Sequence, residues 1–160
     1  MKDIYQVLAD LKITYERHDH PAVFTVEEAE KYDQHFAAGQ SKNLFLRNKT
    51  KSQFYLVVVN AYKKVDLKNL AKHLGESSLS FASAEYLHDY LNLTPGSVSP
   101  FGLINDEDKK VHVVIDTDLL ANDKVAFHPN INTATLIISS HDFKKFLEWC
   151  GNEVNLINLS

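Results

Sequence analysis

The chain has 160 residues, of which 44% are hydrophobic, and it carries a formal net charge of −4. These values are typical of one folded domain, here residues 1–160, and they argue against broad nonspecific coating of nucleic acid, which needs clustered Lys and Arg. No apolar run approaches the ~20 residues that span a bilayer, no secretory signal is evident, and the single Cys150 excludes an internal disulfide, so we expect a cytoplasmic protein.

The N-terminal segment predicts a helix, then a strand, then a second helix. Apolar residues recur at helical spacing after Asp3, a residue type that caps helix starts. A short strand is expected over residues 13–18. The pattern Thr25-Val26-Glu27-Glu28 is a capping box, which predicts a helix to about Tyr32. Residues 33–40 are expected to form a loop.

The middle of the chain predicts a hairpin followed by a helix. Residues 44–46 and Phe54–Val59 are apolar and flank the polar turn 48–51, which is the pattern of two antiparallel strands. Asp66 is a candidate cap for the next helix, and Gly75 is a signal for its end.

The second half alternates helices and strands without a regular repeat. One helix is predicted from Ser83 to Leu91, and a last one from Ser140 to the stop at Gly151. Three strands are predicted from apolar and β-branched runs: Val111–Ile115, Val125–Phe127 and Thr135–Ile138. The irregular alternation predicts a mixed α/β (α+β) class, with a mixed sheet flanked by helices.

Two loops in the second half carry the chain's most informative motifs. One reads Gly96-Ser97-Val98-Ser99-Pro100-Phe101-Gly102, and the other reads Phe127-His128-Pro129-Asn130 followed by Asn132-Thr133-Ala134-Thr135. Glycine lets a backbone approach a ligand closely, and proline fixes the turn that presents it. Such loops suit a site that works with backbone N–H groups and a few polar side chains rather than with a metal.

Several other chemistries lack support in the sequence. His18 and His20 would share one face of a strand, but no third His or Cys lies at a recognisable spacing, so we expect no metal site and interpret the pair as a polar strand end leading into Pro21. Cys150 lies on the apolar face of the last predicted helix, which favours a buried thiol over a nucleophile. The glycine motifs of serine hydrolases, P-loop proteins and dehydrogenases are absent, and no cofactor is expected.

Four polar residues have both a structural and a functional interpretation. Lys42, just before a predicted strand, is either a solvated lysine or a point charge aimed at a phosphate. His128 either caps the end of a strand or forms the polar wall of a ligand pocket. Thr133 and Thr135 either line that pocket or serve as ordinary strand residues.

The ordered set of motifs resembles the YbaK/ProX superfamily of aminoacyl-tRNA editing domains, and within it the free-standing ProX branch, also called PrdX or ProXp-ala. This branch is related to the insertion domain of prolyl-tRNA synthetase. The resemblance covers nearly the whole chain and is carried by Pro21–Thr25, Ser41–Leu46, Leu79–Ala82, Gly96–Asp106, Phe127–Pro129 and Asn132–Thr135. It implies the editing-domain fold, with a central mixed, largely antiparallel sheet flanked by helices.

The resemblance also implies an activity, the hydrolysis of Ala-tRNA(Pro), with tRNA(Pro) charged with alanine and prolyl-tRNA synthetase as partners. A pocket shaped for proline cannot strongly reject a smaller amino acid, because each missing methylene is worth only ~1–3 kcal/mol of discrimination. A second pocket that admits alanine and excludes proline by size solves this problem. Attack of water on the ester then requires stabilisation of the carbonyl oxygen and placement of the water.

The roles of individual residues follow from the same resemblance. Lys42 occupies the position of the family's functional lysine and is expected to contact the phosphate or ribose of the terminal nucleotide. His128 is expected to shape the pocket or orient the substrate, and Gly96 begins the loop that holds the aminoacyl-adenosine end. The remaining residues expected to bind substrate are Ser97, Val98, Ser99, Pro100, Phe101, Gly102, Asn132 and Thr133. The sequence does not identify the group that activates water, and the substrate's own vicinal hydroxyl is one candidate.

Three alternative functions stay open. A Cys-tRNA(Pro) deacylase of the same superfamily would share a Gly-rich loop ending in Ser-Pro, but that branch lacks the Phe-His-Pro and Asn-Thr-Ala-Thr motifs present here, so alanine is favoured. A non-catalytic module that binds aminoacyl-tRNA or assists a synthetase could use the same pocket. A binding protein for an amino acid or another small molecule would not respond to the body of the tRNA.

Overall fold

The computed structural model describes residues 3–21, 39–61 and 63–159, with only the backbone of residues 39 and 40. The strands are β1 (Glu16–Asp19), β2 (Gly39–Asn48), β3 (Phe54–Asn60), β4 (Leu79–Phe81), β5 (Val111–Asp116), β6 (Lys124–Phe127), β7 (Ala134–Ser139) and β8 (Val154–Ile157). The α-helices are α1 (Ile4–Asp10), α2 (Leu67–Leu74), α3 (Ala84–Leu91), α4 (Thr117–Leu120) and α5 (Ser140–Cys150), and a 3₁₀ helix spans Pro100–Asn105. None of the helices in the described ranges is long and apolar enough to cross a membrane.

The strands form one mixed sheet in the order β1-β7-β6-β2-β3-β5-β8. The pairs β1–β7, β6–β7, β2–β3 and β2–β4 are antiparallel, whereas β2–β6, β3–β5 and β5–β8 are parallel. Strand β2 is the longest and occupies the centre, where its first residues pair with β6 and its last residues pair with β4. The predicted class, a mixed and largely antiparallel sheet flanked by helices, is confirmed.

Capping residues define the helices much as the sequence predicts. The carboxylate of Asp3 accepts a hydrogen bond from the backbone of α1, and Asp66 does the same for α2. Gly75 and Gly151 follow α2 and α5 with positive φ angles of 72° and 76°, the left-handed conformation that glycine adopts without a Cβ penalty. Helix α5 begins one residue earlier than its predicted cap implied, because Ser139 rather than Ser140 accepts the capping bond.

Some predicted boundaries are wrong, and several short elements were not predicted. The strand expected over 13–18 begins at Glu16, because Ile13 is buried and its N–H closes the end of α1 on the Leu8 carbonyl. The loop expected over 33–40 ends earlier, since residues 39 and 40 already pair with β6; the rest of that loop and the capping-box helix lie outside the described residues. The unpredicted elements are β4, the 3₁₀ helix, α4 and β8.

Alternate residues of the central strands face two different environments. On the first face, Phe45, Phe127 and Leu136 pack into a large apolar cluster with α1, α3, α5 and the 3₁₀ helix. On the second face, Leu46 and Val57 join a smaller cluster with α2. Because successive side chains of a strand point to opposite faces, each of these strands can build a core on one side and a site on the other.

Candidate functional site

Lys42 lies on the second face of the sheet, and His128 directly follows the neighbouring strand β6. Lys42 alternates along β2 with residues of the second-face cluster, and it pairs across β3 with Val59 of the same cluster. The parallel register pairs Gly39 with Val125 and Gln40 with Ala126. Lys42 follows this pairing on β2, and His128 directly follows β6. The structure therefore places two residues that are distant in the sequence on neighbouring segments of the sheet.

The Lys42 side chain is half-buried and held by a backbone carbonyl. Its Nζ donates a hydrogen bond to the carbonyl oxygen of Lys63 at 2.8 Å. An ammonium group has three N–H donors, so two remain beyond this bond for a ligand. The acceptor is a neutral carbonyl, so this contact orients the cation without cancelling its charge.

The His128 ring is oriented by the turn that joins β6 to β7. Its Nδ1 lies 2.9 Å from the carbonyl oxygen of Ala134. A carbonyl can only accept, so Nδ1 carries the proton, and in the neutral ring Nε2 is an acceptor. The strand-end interpretation of His128 is thus confirmed in its geometry, and the same contact fixes the orientation with which the ring would meet a substrate.

His20 lies beside His128, although the sequence interpretation took it as part of a polar strand end rather than of a site. Its backbone N–H donates to the carbonyl of Thr133 at 3.0 Å, and its ring lies 6.0 Å from the ring of His128. Nδ1 lies 2.8 Å from the Pro21 carbonyl, so it carries the proton and Nε2 accepts from the Thr135 hydroxyl at 2.9 Å. Thr135 therefore has a specific partner in addition to its place in β7.

A sequence signal for His20 does exist. The chain contains two His-Pro dipeptides, one after β1 and one after β6, and the structure places them at neighbouring strand ends. His18, the other member of the metal hypothesis, lies instead near the Glu16 carboxylate at 3.4 Å. Over the described ranges, no group of three or more His, Cys, Asp or Glu residues has the geometry to hold a metal ion.

The Gly96 loop is built by local hydrogen bonds. Gly96 has a φ of 91°, and the N–H of Ser97 closes a turn on the Thr94 carbonyl at 3.0 Å. Ser99 is fully buried, and its hydroxyl accepts from the Phe101 N–H at 3.2 Å, which caps the 3₁₀ helix. These two serines therefore determine the shape of the loop.

The second half of that loop is packed into the first-face core. Pro100, Phe101 and Gly102 are buried, and Val98 is partly buried against the same cluster. A Cβ at Gly102 would come within 2.6 Å of the Leu93 side chain. Glycine is therefore required here for close packing, and contact of these residues with substrate stays a prediction.

The two motif loops contact each other through Asn130. Its side-chain amide donates to the Phe101 carbonyl at 3.4 Å, and the Phe101 ring meets the Phe127 ring edge-on at 5.7 Å. Asn132 is half-buried and Thr133 is exposed, and the Thr133 carbonyl is the acceptor for His20. The structure thus brings His20, His128 and Thr133 together, with Lys42 on the neighbouring strand β2 and the 3₁₀ helix attached through Asn130.

Comparisons with known proteins point in one direction. The sequence model of the aminoacyl-tRNA editing domain matches residues 20–146. The chain is 45% identical to the prolyl-tRNA editing protein ProX of Acetoanaerobium sticklandii, over 95% of this chain and 93% of that protein. It is 39% identical to the prolyl-tRNA synthetase associated domain-containing protein 1 of Bos taurus, over 96% of this chain and 91% of that protein.

A solved structure shows the same fold. The crystal structure of "a putative trans-editing enzyme for prolyl tRNA synthetase" superimposes with a TM-score of 0.70 and 19% identity, covering 98% of this chain and 97% of that one. At 19% identity this match shows a shared fold, whereas the family model and the two relatives show common descent. The chain belongs to the aminoacyl-tRNA editing domain family.

Proposed function

We propose that this protein is an aminoacyl-tRNA deacylase that removes alanine from mischarged tRNA(Pro). The observation that carries this proposal is Lys42. It occupies the position of the functional lysine in the family that the chain resembles. Its ammonium is held by the Lys63 carbonyl, and its strand β2 pairs with β6, which His128 directly follows.

The geometry supports a division of roles between these two residues. Two N–H donors of Lys42 are directed at the terminal nucleotide, where a phosphate or ribose oxygen accepts them. The His128 ring, oriented by Ala134, forms one wall of the aminoacyl pocket. The Gly96–Pro100 loop supplies backbone N–H groups that hold the aminoacyl-adenosine end.

The reaction is hydrolysis of an ester. The oxygen of water adds to the aminoacyl carbonyl carbon, and the bond from that carbon to the ribose oxygen then breaks. The water loses a proton and the departing ribose oxygen gains one, so that alanine and a free terminal hydroxyl are formed. The vicinal hydroxyl of the ribose is the candidate for relaying this proton, and replacing it with hydrogen while deacylation continues would contradict that hypothesis.

The site motifs favour alanine over cysteine as the esterified amino acid. The Phe-His-Pro and Asn-Thr-Ala-Thr segments, which distinguish the ProX branch from the Cys-tRNA(Pro) branch, supply the hydrogen bond from His128 to the Ala134 carbonyl and the Thr135 hydroxyl that bonds to His20. The names of the relatives support the context: one is a prolyl-tRNA editing protein, and another is a prolyl-tRNA synthetase associated domain protein. We infer that prolyl-tRNA synthetase generates the substrate.

The test is single-turnover deacylation of Ala-, Cys- and Pro-tRNA(Pro) by the wild-type protein. Release of alanine with Pro-tRNA(Pro) left intact is the expected result. Faster release of cysteine would move the specificity to the alternative branch while keeping the reaction class. Binding of all three without hydrolysis would support the non-catalytic module instead. A bound free amino acid with no response to tRNA would indicate a small-molecule binding protein.

A further inference from the structure

Lys63, Asp116 and Asp118 form an ion-pair cluster that is linked to Lys42 through the Lys63 backbone carbonyl. The residue whose carbonyl holds Lys42 is Lys63, and the side chain of Lys63 lies between two carboxylates. Its Nζ is 2.9 Å from Oδ2 of Asp116 and 2.6 Å from Oδ2 of Asp118. Burial lowers the pKa of Lys63, but its hydrogen bonds to the carboxylates of Asp118 and Asp116 outweigh this and raise the pKa overall, so Lys63 stays charged.

Asp116 is the centre of this cluster. It ends β5, is fully buried, and accepts from Lys63 Nζ through both oxygens, at 2.9 and 3.0 Å. Oδ1 also accepts from the Asp118 N–H at 3.1 Å, and Oδ2 lies 3.5 Å from the Asn60 N–H. The Lys63 N–H closes the turn on the Asn60 carbonyl at 3.0 Å. Asp116 therefore contacts both ends of the turn that presents the Lys63 carbonyl.

This arrangement can hold the Lys42 ammonium in place without neutralising the charge that a phosphate would meet. A direct ion pair between Lys42 and a carboxylate would orient the ammonium but would also neutralise it toward a phosphate. Here the carboxylates pair with Lys63, and the group that holds Lys42 among the described residues is the neutral Lys63 carbonyl. The position of Lys42 is fixed while its charge is left for the substrate.

We propose that Asp116 is a positioning residue for Lys42 and acts through Lys63. This inference rests on the proposed function, because it presumes that the substrate meets the ammonium of Lys42. The three residues Asp116, Lys63 and Lys42 form a chain of two contacts that runs from the end of β5 to the site.

The same strand offers a matched control. Asp106 lies just before β5, is 4% exposed, and accepts from the backbone N–H groups of Lys110 and Val111 and from the Asn152 amide. It is therefore a second buried carboxylate with several hydrogen bonds, located at the opposite end of β5. Its described contacts do not lead to Lys42. Asp106→Asn therefore shows how much the loss of a buried carboxylate changes the rate when Asp116 and Lys63 are left unchanged.

The decisive experiment is a double-mutant cycle between Asp116→Asn and Lys42→Ala in single-turnover deacylation at saturating enzyme. The asparagine keeps the shape of the carboxylate, and Asp118 still pairs with Lys63, so we expect the fold to survive. Because a misplacement of ~1 Å can cost ~10²-fold in rate, Asp116→Asn should slow the wild-type background by at least about tenfold. In the Lys42→Ala background the same change should have less than a roughly twofold effect, as expected when two residues act as a unit.

Two further variants separate positioning from folding. Lys63→Met removes the cation but keeps the aliphatic stem, so it should slow deacylation about as much as Asp116→Asn. Lys63→Arg retains a cation between the carboxylates and should recover most of the rate. Asp106→Asn should change the rate less than about twofold in both backgrounds, whatever it does to the melting temperature. Equal slowing by Asp116→Asn with and without Lys42, or none, would overturn the proposal.

If the wild type hydrolyses none of the three esters, that result contradicts the proposed function but does not test the role of Asp116. A second measurement tests that role without deacylation. Competitive acylation of the amino groups, read by mass spectrometry, reports how firmly the Lys42 ammonium is held. Relative to the exposed Lys144 of α5, labelling of Lys42 should accelerate severalfold in Asp116→Asn and not in Asp106→Asn. Unchanged labelling of Lys42 in Asp116→Asn would show that Asp116 does not support it.

Discussion

The two faces of the central sheet are built by the same strands for different purposes. On the first face, the aromatic side chains of Phe101, Phe127, Phe143 and Phe146 form a chain of ring contacts under helix α5. On the second face, β7 carries Thr135 and the buried Ile137, and Lys42 and Thr135 have specific hydrogen-bond partners. One strand can therefore contribute side chains to the core on one face and to the site on the other, because successive side chains point to opposite faces.

Strand β7 shows the principle most clearly. Leu136 and Ile138 pack into the first-face cluster, whereas Thr135 between Ala134 and Leu136 bonds to His20. A one-residue change of register would exchange these faces. The dense first-face core therefore fixes the positions of the polar residues on the second face, which separates variants that affect stability from variants that affect turnover.

The largest stability effect should come from the first face. Phe127 is 2% exposed and contacts the rings of Phe101 and Phe143. Phe127→Ala removes this ring and leaves a cavity, so we expect the free energy of unfolding to fall by ~3–5 kcal/mol. Chemical denaturation measures this loss, and a loss well under 1 kcal/mol would contradict the assignment of Phe127 to the core.

A smaller loss of stability is expected when a methyl group is added to the tightly packed first face at Gly102. Gly102→Ala places a Cβ 2.6 Å from the Leu93 side chain, so Leu93 must shift and we expect ~1–3 kcal/mol of destabilisation. Gly75→Ala is a useful comparison, because a Cβ there meets no atom within 4 Å but must adopt a positive φ. If both variants unfold like the wild type, the requirement for glycine at these positions is wrong.

On the second face, His128 variants should change the rate more than the stability. His128→Ala removes the bond to Ala134 and the pocket wall, and we expect about a tenfold slower deacylation of Ala-tRNA(Pro). His128→Asn can still donate to the Ala134 carbonyl, so it should recover the melting temperature but not the rate. If His128→Asn recovers both the melting temperature and the rate, then His128 acts only as a strand-end residue.

The smallest effect should come from the Thr135 hydroxyl. Thr135→Val keeps the shape of the side chain but removes the donor to His20, so we expect a loss of ~0.5–1.5 kcal/mol in stability and a rate change of only a fewfold. Thr135→Ser retains the hydroxyl and serves as the matched control. If valine and serine behave alike, the bond between Thr135 and His20 has no role in the site.

Local sequence patterns predicted most of the helices and the longer strands, because caps and apolar periodicity act over a few residues. The short strands β4 and β8 escaped prediction, since they expose Phe81 and Leu156 and lack a regular alternation. The support formed by Lys63 and Asp116 also could not be predicted. It depends on the parallel pairing of β3 with β5, which brings Asp116 to the turn after Asn60.

The site itself was predicted in part. Lys42 and His128 were identified by family resemblance, and the structure places them on β2 and just after β6, two strands that pair in parallel. His20 was missed because the sequence interpretation weighed His18 and His20 only as a metal pattern or as a polar strand end. Pro100, Phe101 and Gly102 were predicted to bind substrate, and the structure adds a packing role for each.

The most direct test of the whole account is single-turnover deacylation of Ala-tRNA(Pro) by the wild type, Lys42→Ala and Lys144→Ala, with tRNA binding measured on the same samples. Lys144 is an exposed lysine of α5, the helix that covers the first face. We predict that Lys42→Ala loses ~10²–10³-fold in rate, as when a charge-stabilising donor is removed, while Lys144→Ala matches the wild type. Equal rates for all three proteins would contradict the assignment of the site to the second face.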